Sequence, residues 1–379
     1  MRNTLKKLFL IDMLYAFIAS SLAVMVPLYL IDIELDVVSI GLLLSIVPLS
    51  FMFLRLLFAS VADTVGTKTV EVLESIATIA AIMIYVFSSS ARGFAVAQFG
   101  EAVRDAGFWA TARTDIVRAN GKKHLDRAFA YLIGIRQLAD GFGRIAIGFL
   151  ILYFSFQVSF YIMFVLSLLM LVLILTINKN PFCGFPIAKI LVKKIFHKRS
   201  KTFWVDSFGI AMQQLVPAVL MAFLLPLYVY SVLDFGYSGT AAVLAVFSIV
   251  TAAANLLAVK YNFSKYTLLF SVLMIVPALI LIPYLGELII IPVLVIGIGT
   301  GCGNILTERL VSKDVSRSKN ISTEVGAIYF PYMVLASLFI GFGGLAIENW
   351  GYLSMFYLCA FIMLYYVIYV RTLLKRRKD

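Results

Sequence analysis

Gly141-Phe142-Gly143-Arg144-Ile145-Ala146-Ile147 returns two hundred residues later as Gly341-Phe342-Gly343-Gly344-Leu345-Ala346-Ile347. A second pair, Pro27-Leu28-Tyr29-Leu30 and Pro226-Leu227-Tyr228-Val229, is offset by nearly the same interval, and each is followed at the same spacing by a serine, Ser39 or Ser238. One short apolar match arises readily by chance. Two in one register indicate an internal duplication of about half the chain.

Composition says what kind of unit is duplicated. Of 379 residues, 62% are hydrophobic and 14% charged, against about half and about a quarter in soluble domains. A soluble fold of this size has nowhere to hide so much apolar surface. At about 20 apolar residues per membrane crossing, the length accommodates roughly a dozen helices and little else. Runs of that kind occupy 8–30, 40–62, 70–87, 94–114, 128–151 and 156–177, then 203–230, 237–259, 266–284, 288–310, 322–347 and 352–370. The expectation is an all-α integral membrane protein with twelve transmembrane helices. A six-helix bundle covers 1–177, a cytosolic basic linker 178–202, and a second six-helix bundle 203–379. Because each half has an even number of crossings, the copies run in the same direction and are related by an axis along the membrane normal. A central cavity between the bundles follows. The first run sits behind Arg2, Lys6 and Lys7 as a signal peptide would, but it continues to Ile31 and more spans follow, so it reads as a retained helix.

A net charge of +12 raises the question of nucleic acid, which the placement of the charges answers. Lys and Arg lie between or beside the apolar runs. They collect in the connections after helices two, four, six, eight and ten and at both termini. The alternate connections hold Asp32, Glu34, Asp36, Asp234, Glu287 and Glu348, with Arg92 the only base. The positive-inside rule therefore puts both termini and the basic connections in the cytosol of a multi-pass cell-membrane protein. The linker carries Lys179, Lys189, Lys193, Lys194, Lys198, Arg199 and Lys201, and Ile187–Phe196 fits a short interfacial amphipathic helix. Cys183, Cys302 and Cys359 are too scattered for a disulfide framework or a zinc site. Neither a metal nor another cofactor is expected. Gly297-Ile298-Gly299-Thr300-Gly301-Cys302-Gly303 lies in mid-membrane without a phosphate-loop lysine, and permits close packing or local unwinding.

Charges inside spans cost about 2.5–3.5 kcal/mol each on insertion scales, and this chain concentrates them in helices four and five. Helix four carries Glu101, Arg104 and Asp105, with Arg113 and Asp115 toward its cytosolic end; helix five carries Arg136, Asp140 and Arg144, spaced four apart on one stripe. The two helices are expected to face each other, or a shared aqueous cavity, through these opposite charges. They form either an ion-pair lattice that pins helices together or a path for solute and protons. Helices six, nine and twelve lack core charges and helix three has only Glu71 and Glu74, so these four are expected to face lipid. In the second half Asp206, Gln213, Gln214, Asn255 and Asn304 are candidate cavity groups, with helix-to-helix hydrogen bonding as the competing role. Pro48, Pro217, Pro226, Pro277 and Pro331 mark kinks.

Ala59-Ser60-Val61-Ala62-Asp63-Thr64-Val65-Gly66-Thr67-Lys68, in the connection after helix two, resembles the loop signature of the major facilitator superfamily, G-x-x-x-D-R-x-G-R-K. Asp63, Gly66 and Lys68 match; Ala59 stands for the first Gly, and Thr64 and Thr67 replace the two Arg. Together with six plus six helices, a basic central loop and parallel repeats, the resemblance covers the whole chain. It implies a gating role for Asp63, Gly66 and Lys68, Asp63 capping a neighbouring helix with Arg113 as its partner. Arg104 with Gly107 is similar to the family's R-x-x-x-G helix-four motif, associated with proton coupling, at a spacing one residue short. Where the family's drug antiporters have Gly-Pro in helix five, this chain has Gly143-Arg144, which counts against a multidrug exporter.

The combined expectation is a secondary transporter moving a small polar solute by alternating access with proton coupling, an anion being the form that the arginines suit. Coupling needs a carboxylate whose proton affinity responds to desolvation and to a nearby ligand or arginine. Glu101, Asp105 and Asp140 are best placed, with Asp12 behind them. Arg104, Arg136, Arg144 and Arg55 suit bidentate anion binding, with Gln213 and Asn304 from the other half. The partners are then a small-molecule substrate, protons and the lipid bilayer, without nucleic acid, and the protein is a monomer. The rivals are a drug or metabolite efflux antiporter and a non-transporting receptor or assembly factor on the same fold; solute accumulation in proteoliposomes separates the latter. Catalysis is not expected, because no His lies in any span.

Overall fold

The computed structural model describes residues 2–64, 66–120, 125–177, 199–315 and 321–376; within these, the side chains of 2–5, 63–64, 113–120, 125–133, 309–310, 312–315, 321–322 and 372–376 are outside the description. The proposed interfacial helix at Ile187–Phe196 and nearly all of the linker lie outside the described residues.

Every described element is a helix. The first half comprises α1 (Arg2–Asp32), α2 (Val37–Thr64), α3 (Thr67–Phe87), α4 (Ala91–Asn120), α5 (Leu125–Tyr153) and α6 (Phe156–Leu175). The second comprises α7 (Lys201–Val219), a π-helical turn at Leu220–Leu224, α8 (Leu225–Ser231), α9 (Gly236–Lys260), α10 (Lys265–Leu273), α11 (Ile275–Leu285), α12 (Ile290–Val315), α13 (Ile321–Ile328) and α14 (Phe330–Arg376). In lipid a helix satisfies its own backbone, which is why an apolar chain takes this form throughout.

Eight helical stretches among the described residues are long and apolar enough to cross a membrane. Two of them, 265–308 and 323–371, are of double length at 44 and 49 residues. Each is broken by a glycine with positive φ, Gly286 at 49° and Gly351 at 74°. α4 and α5 are long enough, at 30 and 29 residues, and are set apart only by their charges. Divided at those glycines, and with α4 and α5 included, the described residues hold twelve helical segments of spanning length.

The prolines act where their missing N–H requires. Pro226, Pro277 and Pro331 cannot donate to the carbonyl four residues back, and each follows an interruption: the π turn at Leu220–Leu224, the α10–α11 break at Met274 and the α13–α14 break at Tyr329. The Gly-rich stretch of α12, by contrast, remains continuous helix, so close packing rather than unwinding is its role. A Cβ at Gly301 would lie 2.5 Å from the Thr251 carbonyl of α9, and one at Gly299 would lie 2.7 Å from the Ser271 carbonyl of α10.

The halves meet chiefly along two helix pairs, α5 with α9 and α2 with α14. The repeat explains the pairing, since the operation that carries the Gly141 motif of α5 onto the Gly341 motif of α14 also carries α2 onto α9. Without a hydrophobic drive in lipid, close approach of backbones holds helices together. A Cβ at Gly344 would meet the Val37 carbonyl at 2.6 Å, and one at Gly148 would meet the Ala241 Cβ at 2.4 Å. Both contacts lie near the end that carries the acidic connections, where the Tyr237 hydroxyl also donates to Asp32 across the halves.

Outward-facing apolar residues crowd α6, α10–α11 and the part of α14 beyond Gly351, including Val165, Val172, Phe270, Leu281, Phe361 and Ile368. The lipid-facing expectation for helices six, nine and twelve agrees with this. α3 is narrower: Ile76 and Phe87 face out, while Glu71 and Glu74, at 5% and 1% exposure, turn inward. The carboxylates that follow its start need cover, so only one stripe of α3 is free.

Candidate functional site

Among the described residues the charges of α4 and α5 do not pair across to each other, so of the two arrangements expected, direct facing or a shared cavity, direct facing is not the one found. Among the described residues no ion pair joins them; their connection is α1. Asp12 and Tyr15, three apart and therefore on one face of α1, reach in both directions. Arg136 of α5 grips Asp12 with two bonds, Nη2 to Oδ1 at 2.6 Å and Nε to Oδ2 at 3.1 Å. The Tyr15 hydroxyl donates to Asp105 Oδ1 of α4 at 2.8 Å. Its ring lies flat on Phe108, with centroids 3.4 Å apart.

On α4, Arg104 is held between two carboxylates, its Nε donating to Asp105 Oδ1 at 2.8 Å and its Nη2 to Glu101 Oε2 at 3.1 Å. Glu101 Oε1 accepts from the Tyr85 hydroxyl of α3 at 2.6 Å, and Gln98 Nε2 donates to that same hydroxyl at 2.6 Å. The result is one chain of bonds from Gln98 through Tyr85, Glu101, Arg104 and Asp105 to Tyr15. Gly107, three residues beyond Arg104, gives room to Glu74, whose Cβ would lie 2.8 Å from a Cβ there. Tyr332 of α14, from the other half, lies within electrostatic reach of Asp105.

On α5, Arg144 closes on Asp140 one turn earlier, Nε to Oδ2 at 3.1 Å and Nη2 to Oδ1 at 3.3 Å. Gly143 presses this turn against α1, with the Ser21 hydroxyl donating to its carbonyl at 3.1 Å and no room for a Cβ beside the Phe17 carbonyl. Arg136 stands apart, over the rings of Phe108 and Trp109 at 4.8 and 4.7 Å. Arg55 of α2 lies among Phe51, Trp109 and Tyr329 at 5.6, 6.0 and 5.9 Å. Trp109 thus serves two guanidinium groups.

These guanidinium groups are not saturated. Arg104 and Arg144 are 3% and 7% exposed, and the buried Nη1 atom of each has no hydrogen-bond partner. Such donors are costly to leave unmade, by about 1–3 kcal/mol each. Asp105 Oδ2 is likewise not used in the bonds above, and its side chain is 22% exposed against 8% for Glu101.

In the second half Gln213 and Asn304 are brought together through Gln214, whose Nε2 donates to Gln213 Oε1 at 2.6 Å and Asn304 Oδ1 at 3.1 Å. Thr307 donates to Gln213 Oε1 at 2.9 Å. Gln213 lies about 18 Å along α7 from Lys201, near the middle of the membrane. No described hydrogen bond links this cluster to the arginines. Asn255 takes no part in it, and Asp206 lies buried beside Ser207, which donates to the Ile328 carbonyl at 2.6 Å.

The residues of the loop motif divide. Gly66 has φ 110° and ψ 163°, a conformation open to glycine, which accounts for its place in the motif. Lys68 does not reach toward the other half. Its Nζ donates to the carbonyls of Leu175 and Ile177 at 3.4 and 3.2 Å, and Lys7 donates beside it to Thr176. Two ammonium groups therefore close the negative end of α6 within the first half, because Lys68, in the first turn of α3, faces that end. The side chains of Asp63 and Arg113 lie outside the described residues.

Sequence reasoning named the charges and missed their aromatic partners Tyr15, Tyr85, Phe108, Trp109 and Tyr332. A signal was present for Phe108, which with Glu101 and Asp105 follows the i, i+4, i+7 spacing of one helix face.

Two solved structures share this architecture. A mutant of the nucleoside transporter NupG superposes with a TM-score of 0.72 at 14% identity, over 96% of this chain and 98% of that one. A POT family transporter in complex with 5-aminolevulinic acid superposes with a TM-score of 0.78 at 13% identity, over 97% and 95%. At these identities the likeness is one of fold. No curated protein sequence matches the chain. The Major Facilitator Superfamily model matches residues 8–323, and the chain belongs to that family.

Proposed function

We propose that the protein moves a small anionic polar solute across the cell membrane by alternating access, coupled to protons. The observation that carries the reading is the pair of buried guanidinium groups, Arg104 and Arg144, each with Nη1 unsatisfied. A carboxylate or phosphate oxygen arriving there supplies the missing acceptor, and both arginines are already held rigid by carboxylates. Relatives of this fold act on a nucleoside in one case and bind 5-aminolevulinic acid in another, the second of which carries a carboxylate.

Proton coupling rests on the charge balance. On α1, α4 and α5 the described core groups are Asp12, Glu101, Asp105 and Asp140 against Arg104, Arg136 and Arg144. Four acids and three bases leave one carboxylate in excess, and the excess sits at Arg104, which holds two. One proton balances the Glu101–Arg104–Asp105 group. Asp105 is the carrier we favour, because its Oδ2 remains available and Tyr15 of α1 donates to its Oδ1. An anion binding Arg104 competes with Asp105 for the guanidinium and so makes protonation easier.

The test is uptake into proteoliposomes of carboxylate and phosphate solutes under an imposed pH gradient. Asp105→Asn, a mimic of the protonated acid, is expected to bind and exchange solute while losing uphill accumulation. Wild-type accumulation by Asp105→Asn would refute coupling through this residue. Binding of neutral solutes alone would refute the anion.

A further inference from the structure

A groove of about 390 Å³ runs between the first half of α7 and the last part of α14, lined by Lys201, Trp204, Val205, Phe208, Met212 and Tyr365. Its floor is a close fit. The Tyr369 ring packs against Gly209, where a Cβ would come within 2.3 Å of it, and the Tyr369 hydroxyl donates to the Val205 carbonyl at 2.8 Å. The tyrosine's polar atom is thereby satisfied, and the groove presents hydrocarbon.

The groove is open to the outside. Trp204, Phe208 and Tyr365 are 43%, 47% and 52% exposed, so it opens on the surface where lipid replaces water. From Lys201 to Met212 it extends about 16 Å along α7, against about 15 Å for half of a 30 Å hydrocarbon core. It therefore spans one leaflet. Lys201 stands at one mouth, exposed and without an ion pair among the described residues. This is the end at which the chain carries Lys193, Lys194, Lys198 and Arg199. Arg199 is already engaged, its Nε donating to Glu324 Oε2 at 3.0 Å, and among the described residues Lys201 is the cation that lines the groove.

We propose that this groove is a binding site for one anionic phospholipid of the leaflet at the basic end, the acyl chain lying along Trp204, Phe208 and Met212 and the phosphate meeting Lys201. Charge and shape agree on that occupant: an ammonium at headgroup level, then a one-leaflet apolar channel. A soluble phosphate lacks the chain, and a neutral lipid lacks the charge. The site is separate from the arginine cluster, which lies in the other half.

Trp204 is its own reporter. Full-length protein in phosphatidylcholine vesicles receives phosphatidylglycerol or phosphatidylcholine with brominated acyl chains, and the Trp204 signal is the difference between wild type and Trp204→Phe. Phosphatidylglycerol is expected to quench it at about five-fold lower mole fraction, the fold-change equivalent to the roughly 1 kcal/mol that one cation contributes at an anionic surface. Lys201→Gln is expected to remove the preference while leaving quenching by phosphatidylcholine unchanged. Glycerol phosphate in solution is expected not to compete. Equal quenching by the two lipids would overturn the proposal and mean ordinary annular lipid. A preference that survives Lys201→Gln would overturn it too, as would competition by glycerol phosphate.

Discussion

Gly344→Val tests whether the acidic end of the bundle is a closed seal between the halves. A Cβ at Gly344 would lie 2.6 Å from the Val37 carbonyl oxygen and 2.7 Å from Val38 Cα, where ordinary contact begins at 3.4 Å. The neighbour is backbone, which has no rotamer to change. α2 and α14 must therefore separate locally by about 0.7–0.8 Å, and overpacking of this kind costs about 1–3 kcal/mol. At 1.4 kcal/mol per factor of ten, the sealed arrangement falls in population by roughly 5- to 150-fold relative to one in which the helices are apart. Gly148→Val makes the equivalent change on the other pair, a Cβ there lying 2.4 Å from that of Ala241. The duplication predicts the same outcome for both.

Spin labels at Glu34→Cys and Asp234→Cys report it. These residues turn the acidic-end connections of the two halves, both with positive φ. The native Cys183 is replaced by Ser, and Cys302 and Cys359 are buried. The inter-label distance should lengthen in both glycine variants and stay unchanged in Leu345→Ala, which points outward one residue away. A folded Gly344→Val protein with the unaltered distance would refute the reasoning, as would opposite shifts in the two variants.

Three further outcomes follow from the bonds described. Asp12→Asn strands Arg136, whose side chain is 14% exposed, and should cost about 3 kcal/mol as a lowered midpoint of thermal unfolding; an unchanged midpoint would mean that Phe108 and Trp109 hold the cation alone. Lys68→Met should cost only about 0.3–1 kcal/mol at the end of α6 and leave the inter-label distance untouched, whereas a gating lysine would shift it. Impermeant thiol reagents applied to intact cells should modify Asp234→Cys and spare Lys194→Cys, and the reverse labelling would invert the topology.

Much of the architecture was legible because lipid imposes few alternatives. Hydrophobic length marks the spans, Lys and Arg mark one end, and the Gly141 and Gly341 motifs disclose the duplication. The same motifs then prove to be the interface, since glycine is what lets α5 and α14 approach α9 and α2. What the sequence hid was rotation about each helix axis. Arg136, Asp140 and Arg144 share a stripe in sequence, yet Arg144 turns back to Asp140 while Arg136 leaves for Asp12. A long side chain sweeps an arc wide enough to choose either neighbour, and only packing decides. Lys68 shows a related limit. Its motif position indicates a gate, but its reach from the first turn of α3 is set by where α6 ends.

The bonds single out α1 as the element that joins charge to closure. In the first half of this 31-residue helix, Asp12 and Tyr15 hold Arg136 and Asp105; at its last residue, Asp32 accepts from Tyr237 of the second half. Between these points α1 packs on α5, the π turn and α8. If Asp105 carries the proton, as proposed above, its protonation weakens its hold on the Arg104 guanidinium and on the Tyr15 hydroxyl together. A helix loosened there and still latched at Asp32 would carry a tilt to the Asp32–Tyr237 bond. On the proposed reading coupling needs no long relay, because the proposed proton site and the Asp32–Tyr237 contact are both reached from one helix.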